Sequence, residues 1–148
     1  MNIIFVCRGN TCRSAMAKYI MRDLLNAAGL ADKIRVDSAG YRTSGGTSMR
    51  EGARRELQKN RIAFDKHRSK PVTIENYRQA DIVIALDAGV IGKIKKKIGN
   101  EPDNKIRLFN DADGNKLSIK NPFNTHNYSK AFAEIYRGCQ ALLKELAQ

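Results

Sequence analysis

A chain of 148 residues, 42% hydrophobic and 28% charged, has the length and composition of one globular domain with its own core, and excludes a disordered or low-complexity segment. Three cysteines, an odd number, argue against a disulfide framework and for a reducing, cytoplasmic compartment, and the apolar run IIFVC is too short for a signal peptide or a membrane span. The net charge of +12 would suit a polyanion, but the basic residues are scattered and no zinc spacing or RNA-binding aromatic motif accompanies them, so no dedicated nucleic-acid role is expected.

In chain order, residues 3–6 read as a buried strand of β-branched and aromatic residues. Residues 14–28 read as a helix, with Met16, Ile20 and Leu24 at a spacing of four and Gly29 placed to stop it. A second strand covers 34–37, and a helix over 49–59 carries Ala53 and Leu57 on one side, with Asn60 as its C-cap. A short helix at 74–78, a third strand within 81–86 and a helix over 88–97 follow. A fourth strand spans 106–109, residues 110–115 read as a solvated loop, and a closing helix over 129–146 turns Phe132, Ile135, Tyr136, Cys139, Leu142, Leu143 and Leu146 to the core. Strands alternating with helices predict an α/β fold of three layers, a parallel sheet with helices on both faces. Ligands of such sheets bind beyond the carboxyl ends of the strands, where Cys7 is expected.

Between the first strand and the first helix runs Cys7-Arg8-Gly9-Asn10-Thr11-Cys12-Arg13-Ser14. A loop entering a helix can turn its backbone N–H groups inward, so residues 8–13 would cradle a tetrahedral dianion. Gly9 and Asn10 tolerate the backbone angles such a turn needs. Arg13 can grip two phosphate oxygens with its planar fork. Cys7 would sit below the phosphorus, where the N–H groups, the helix dipole and Arg13 favour thiolate, the form that attacks phosphorus. Ser14 could donate to Cys7 when it becomes a leaving group. Cys12 could close a reversible disulfide with Cys7 or simply pack beneath the loop.

With FVCRGNTCRSAMA, the chain resembles the low-molecular-weight protein tyrosine phosphatase family, whose signature reads V-C-x-G-N-x-C-R-S-P-x-A. In order along the chain, Val36-Asp37-Ser38-Ala39-Gly40, His67-Arg68-Ser69-Lys70, Ile84-Ala85-Leu86-Asp87 and Asn121-Pro122-Phe123 resemble its later segments. The resemblance implies a four-stranded sheet, a phosphocysteine intermediate, catalysis without metal or cofactor, and phosphorylated proteins or peptides and inorganic phosphate as ligands. A monomer or weak dimer without membrane partners is expected. It also implies that Asn10 holds the loop with hydrogen-bond support from Ser38 and His67; taken alone, each of these two reads as an ordinary turn residue.

The chain departs from the family at Asn121, where the general-acid aspartate is expected. An amide cannot protonate a leaving oxygen or activate water, a loss of about 10²–10⁴-fold in rate. Either Asn121 slows turnover, by nature or by engineering, or Asp111 or Asp113 substitutes, or the protein binds phosphate without turning it over. The stretch 110–115 is similar to part of a calcium loop but lacks the downstream glutamate, so no metal is expected. Arg8 stands where the family often has an apolar residue and is expected to favour acidic phosphopeptides. Tyr41 and Phe123 are candidate walls for a phenyl ring, with packing an equal reading for Tyr41. Thr11 is similar to the residue of bacterial relatives that dephosphorylate arginine, a reading against which Arg8 and Asn121 weigh. Arsenate reduction would need a relay of further cysteines, and Cys139 is alone.

Overall fold

The computed structural model describes residues 1–113 and 119–148, and of Asp113, Phe123 and Asn124 the backbone alone. Strand β1 (Asn2–Cys7) is central in a four-stranded sheet of order β2-β1-β3-β4, with β2 (Arg35–Gly40), β3 (Ile82–Ala85) and β4 (Ile106–Leu108). Every pairing is parallel, with Cys7 opposite Gly40 and Val6 opposite both Ala39 and Ala85. A strand covered on both faces needs apolar residues at every position, which is why IIFV does not alternate with polar residues.

The two faces of β1 separate the core. Ile3, Phe5 and Cys7 join one cluster with α1 (Arg13–Ala27), α2 (Glu51–Lys59) and α6 (Tyr128–Leu146). Ile4 and Val6 join the other with α3 (Ile74–Gln79) and α4 (Ala88–Ile98). Helices therefore cover both faces, as the alternation of strands and helices predicts. On one side of β1 lies β2, its successor in the chain; on the other lies β3. The crossovers diverge between β1 and β3, leaving a crevice at the carboxyl ends of these strands.

The stretch after β4 departs from the expected strand and solvated loop. The strand ends at Leu108, and Phe109–Asp113 forms a 3-10 turn in which Phe109 and Asn110 are buried. The cause is Gly138 on α6: a Cβ there would lie 2.3 Å from the Phe109 ring, so the glycine opens the space the ring fills. The same ring meets Phe5 edge-on, with centroids 5.9 Å apart. The rest of the expected loop, 114–118, lies outside the described residues. A further short helix, α5 (Pro122–Thr125), opens on a proline, whose fixed φ suits a first helical turn. No described helix is long and apolar enough to cross a membrane.

Candidate active site

The Cys7–Arg13 loop closes over the end of β1 and enters α1 with no side-chain cap. The first N–H groups of α1 thus keep their donors for something other than a neighbouring side chain. Asn10 takes φ 59°, the left-handed conformation that Asn tolerates better than most residues. Every polar group of Asn10 is engaged. Its N–H donates to Cys7 Sγ (3.3 Å), its Nδ2 to Ser14 Oγ (2.9 Å), its Oδ1 accepts from Lys70 N (3.0 Å), and its carbonyl accepts from His67 Nε2 (2.6 Å).

Ser14 Oγ lies 2.9 Å from Cys7 Sγ. An amide NH₂ can only donate, so Ser14 accepts from Asn10 and directs its own proton to Cys7 or to the Ala39 carbonyl, 3.4 Å away. A thiolate at Cys7 would therefore meet two donors, Asn10 N–H and Ser14 O–H. Cys12 differs sharply: burial, and next the nearby Cys7, push its thiol up to about 12, so it stays protonated at neutral pH.

Gly40 gives the loop its close seat. A Cβ there would stand 2.7 Å from Arg8 O and 3.0 Å from Asn10 N. Those neighbours are backbone, so only glycine lets β2 run this near. Below the loop, burial holds the His67 imidazole below its usual value, ahead of the Asn10 carbonyl that pulls the other way. Its Nε2 must carry the hydrogen shared with that carbonyl. The Ser38 hydroxyl departs from the expected support: it is buried without a hydrogen-bond partner among the described residues. Asn10 draws its side-chain partners from Ser14 and Lys70 N instead.

Arg13 is buried, and its Nη1 spends both hydrogens on protein: Asp87 Oδ2 at 2.5 Å and the Ile119 carbonyl at 2.9 Å. The edge formed by Nε and Nη2 has no described partner and can take an oxyanion in a two-pronged grip. Asp87 also caps α4, its Oδ1 accepting from Val90 N at 3.1 Å. Both its oxygens are thus committed as acceptors. Ile119 N reaches Leu86 O at 3.4 Å, so the chain leading to Asn121 is tied to the end of β3.

These groups enclose a pocket of about 330 Å³ lined by Cys7, Arg8, Thr11, Arg13, Arg42, Arg50 and Asn121, with Gly9 and Cys12. No carboxylate is among its described lining residues. Asp111 belongs to a separate depression beside Arg107 and Glu145. The side chains of Asp113 and Phe123 lie outside the described residues. Tyr41 is not part of the lining: it packs on the second core cluster, with Lys93 Nζ 6.0 Å from its ring centre. Residue reasoning missed Arg42, Arg50 and the Asp87 tether of Arg13. The available signal for Asp87 was its place, directly after the apolar run IVIAL and three residues before Val90, where a helix cap belongs.

A cysteine at the foot of an arginine-lined anion cradle, at the switch point of a parallel sheet, defines a cysteine-dependent phosphatase. The family model described as low molecular weight phosphotyrosine protein phosphatase matches residues 2–148, and the chain belongs to that family. It is 33% identical to the low molecular weight protein-tyrosine-phosphatase YfkJ of Bacillus subtilis, over 99% of this chain and 96% of that protein. The YfkJ crystal structure superposes with a TM-score of 0.94, covering 99% and 94% of the two chains. The protein-tyrosine-phosphatase PtpA of Staphylococcus epidermidis is 31% identical over 97% and 92% of the two chains. The structure of the YwlE arginine phosphatase from Geobacillus stearothermophilus is 27% identical, with a TM-score of 0.87 and coverage of 99% and 92%.

Proposed function

We propose that the protein hydrolyses phosphotyrosine in protein substrates through a phosphocysteine intermediate. Cys7 Sγ attacks phosphorus; the S–P bond forms as the bond to the phenolic oxygen breaks, and the three equatorial oxygens settle on the loop N–H groups and the free edge of Arg13. Ser14 donates to the sulfur as water then displaces it and phosphate leaves. The observation that carries this reading is Cys7 Sγ within reach of Asn10 N–H and Ser14 Oγ at the base of an arginine-lined pocket. A buried sulfur favours an ester held at the end of a long, flat side chain, which tyrosine supplies.

Asn121 lines the pocket where an acid would serve the leaving oxygen. In this reading turnover is slow, and slower as the leaving group becomes more basic. Asn121→Asp is expected to raise kcat on phosphotyrosine about 10²-fold or more and on nitrophenyl phosphate less. A second reading, dephosphorylation of arginine, rests on Thr11 in the pocket wall and the likeness to YwlE. Arg8, Arg42 and Arg50 around the mouth weigh against it, because they repel a guanidinium. Phosphate release from a phosphotyrosyl and a phosphoarginyl peptide, with Cys7→Ser as the blank, separates the two. Release from neither above the blank would refute both.

A further inference from the structure

The side chains of Arg8 and Arg42 take part in no step of the reaction proposed above, yet both residues line the pocket and both are exposed. They are far apart in sequence, and backbone alone joins them. Tyr41 N donates to Cys7 O at 3.0 Å and Arg42 N to Arg8 O at 2.9 Å, so the chain leaving β2 runs alongside the catalytic loop. The tight seat at Gly40 holds the two segments at a fixed spacing. Arg13 has its charge matched by Asp87. Neither Arg8 nor Arg42 forms an ion pair with a described residue. Two cationic side chains that line one pocket, neither with an ion pair among the described residues, favour an anion there.

We propose that Arg8 and Arg42 form a second anion subsite at the rim, and that the enzyme selects phosphotyrosyl peptides with a carboxylate side chain adjacent to the phosphotyrosine. The inference rests on the phosphotyrosine reading for the reaction, but the subsite itself binds whether or not turnover follows. Phosphate fills the cradle, and the neighbouring carboxylate accepts from both guanidiniums. Partial exposure keeps the contribution modest and sensitive to salt.

The test uses two peptides of one sequence, with Glu or Gln on each side of the phosphotyrosine. Phosphate release gives kcat/KM for each, and titration of the Cys7→Ser protein gives each Kd. At low ionic strength the Glu peptide is expected to be favoured about fivefold in both. The preference is expected to fall to about twofold or less in Arg42→Gln and in about 0.5 M salt, and to persist largely in Arg42→Lys. Equal kcat/KM for the two peptides, or a preference untouched by Arg42→Gln, overturns the subsite while leaving the phosphatase reading in place. If neither peptide is hydrolysed, the phosphotyrosine reading fails and the Kd ratio still decides the subsite: equal Kd values overturn it, and a ratio lost in Arg42→Gln upholds it. A single-stranded oligonucleotide that displaces the Glu peptide at equal concentration also overturns it, because the arginines would then serve any polyanion.

Discussion

Asn10 offers the sharpest test of how the loop is held, because its side chain and its backbone angle can be separated by two substitutions. Asn10→Gly removes the bonds to Ser14 Oγ and from Lys70 N but keeps a residue at ease at φ 59°. Two hydrogen bonds at about 1 kcal/mol each, plus about 1–3 kcal/mol for the desolvation of a stranded N–H at Lys70, give a loss of about 3–5 kcal/mol. Asn10→Ala loses the same bonds and adds a Cβ in the left-handed region, so it should be about 1 kcal/mol less stable than Asn10→Gly. Urea denaturation measures both differences. Because Asn10 N–H also points at Cys7 Sγ, displacement of the loop by about 1 Å should lower kcat/KM about 10²-fold in either variant. If Asn10→Ala proves as stable as Asn10→Gly, the positive φ is not enforced by the fold. If both variants keep the parent kcat/KM, the network around Asn10 does not organise the nucleophile.

Three further outcomes are expected. Gly40→Ala should cost about 1–3 kcal/mol and lower phosphate or vanadate affinity together with kcat/KM, because the methyl can be accommodated only by moving Arg8 and Asn10; an unchanged inhibition constant would contradict the close seat. Asp87→Asn keeps an α4 cap but removes the charge facing Arg13, so kcat/KM should fall about 10-fold or more while thermal stability changes less than in Asp87→Ala; equal kinetics in the parent and Asp87→Asn would show that the tether does not orient Arg13. His67 is held neutral by burial, so the unfolded chain binds more protons than the folded one once pH drops below about 6.5. Its contribution is therefore full above that pH and is lost as pH falls through the depressed folded value; stability curves for the parent and His67→Gln should converge on acidification, and curves parallel from pH 7 to 5 would refute the assignment.

How far the sequence reached is clearest at the two ends of the Arg13 side chain. The residue itself was legible, because nucleophile, turn formers and arginine are contiguous and their strand–loop–helix setting follows from local apolar spacing. Its tether was not: Asp87 is 74 positions away and Ile119 is 106, and only the sheet order brings the ends of β1 and β3 together. Arg42 and Arg50 were hidden for the same reason, since each is placed by a backbone bond to the loop rather than by any pattern of its own. The layers and the parallel sheet were legible from the alternation of elements, whereas the turn at Phe109 was not. Its polar neighbours read as solvent-facing, and the reason it folds inward is a missing side chain on a helix about thirty residues later. The place of Asn121 at the pocket came from the resemblance, not from its own chemistry.

The central position of β1 has a consequence for how the protein comes into being. The proposed nucleophile Cys7 and the clamp Arg13 are contiguous in one loop, but the loop is not held by its own residues alone. Strand β1 has no second edge partner until residues 82–85 exist, Arg13 has no carbonyl to lean on until residue 119, and the apolar face of α1 stays wet until α6 covers it, with Cys139 Sγ reaching back to the Ala17 carbonyl at 3.7 Å. Contacts of such long range make assembly slow and cooperative. The pocket around Cys7 is therefore completed together with the sheet and α6 rather than by the loop alone.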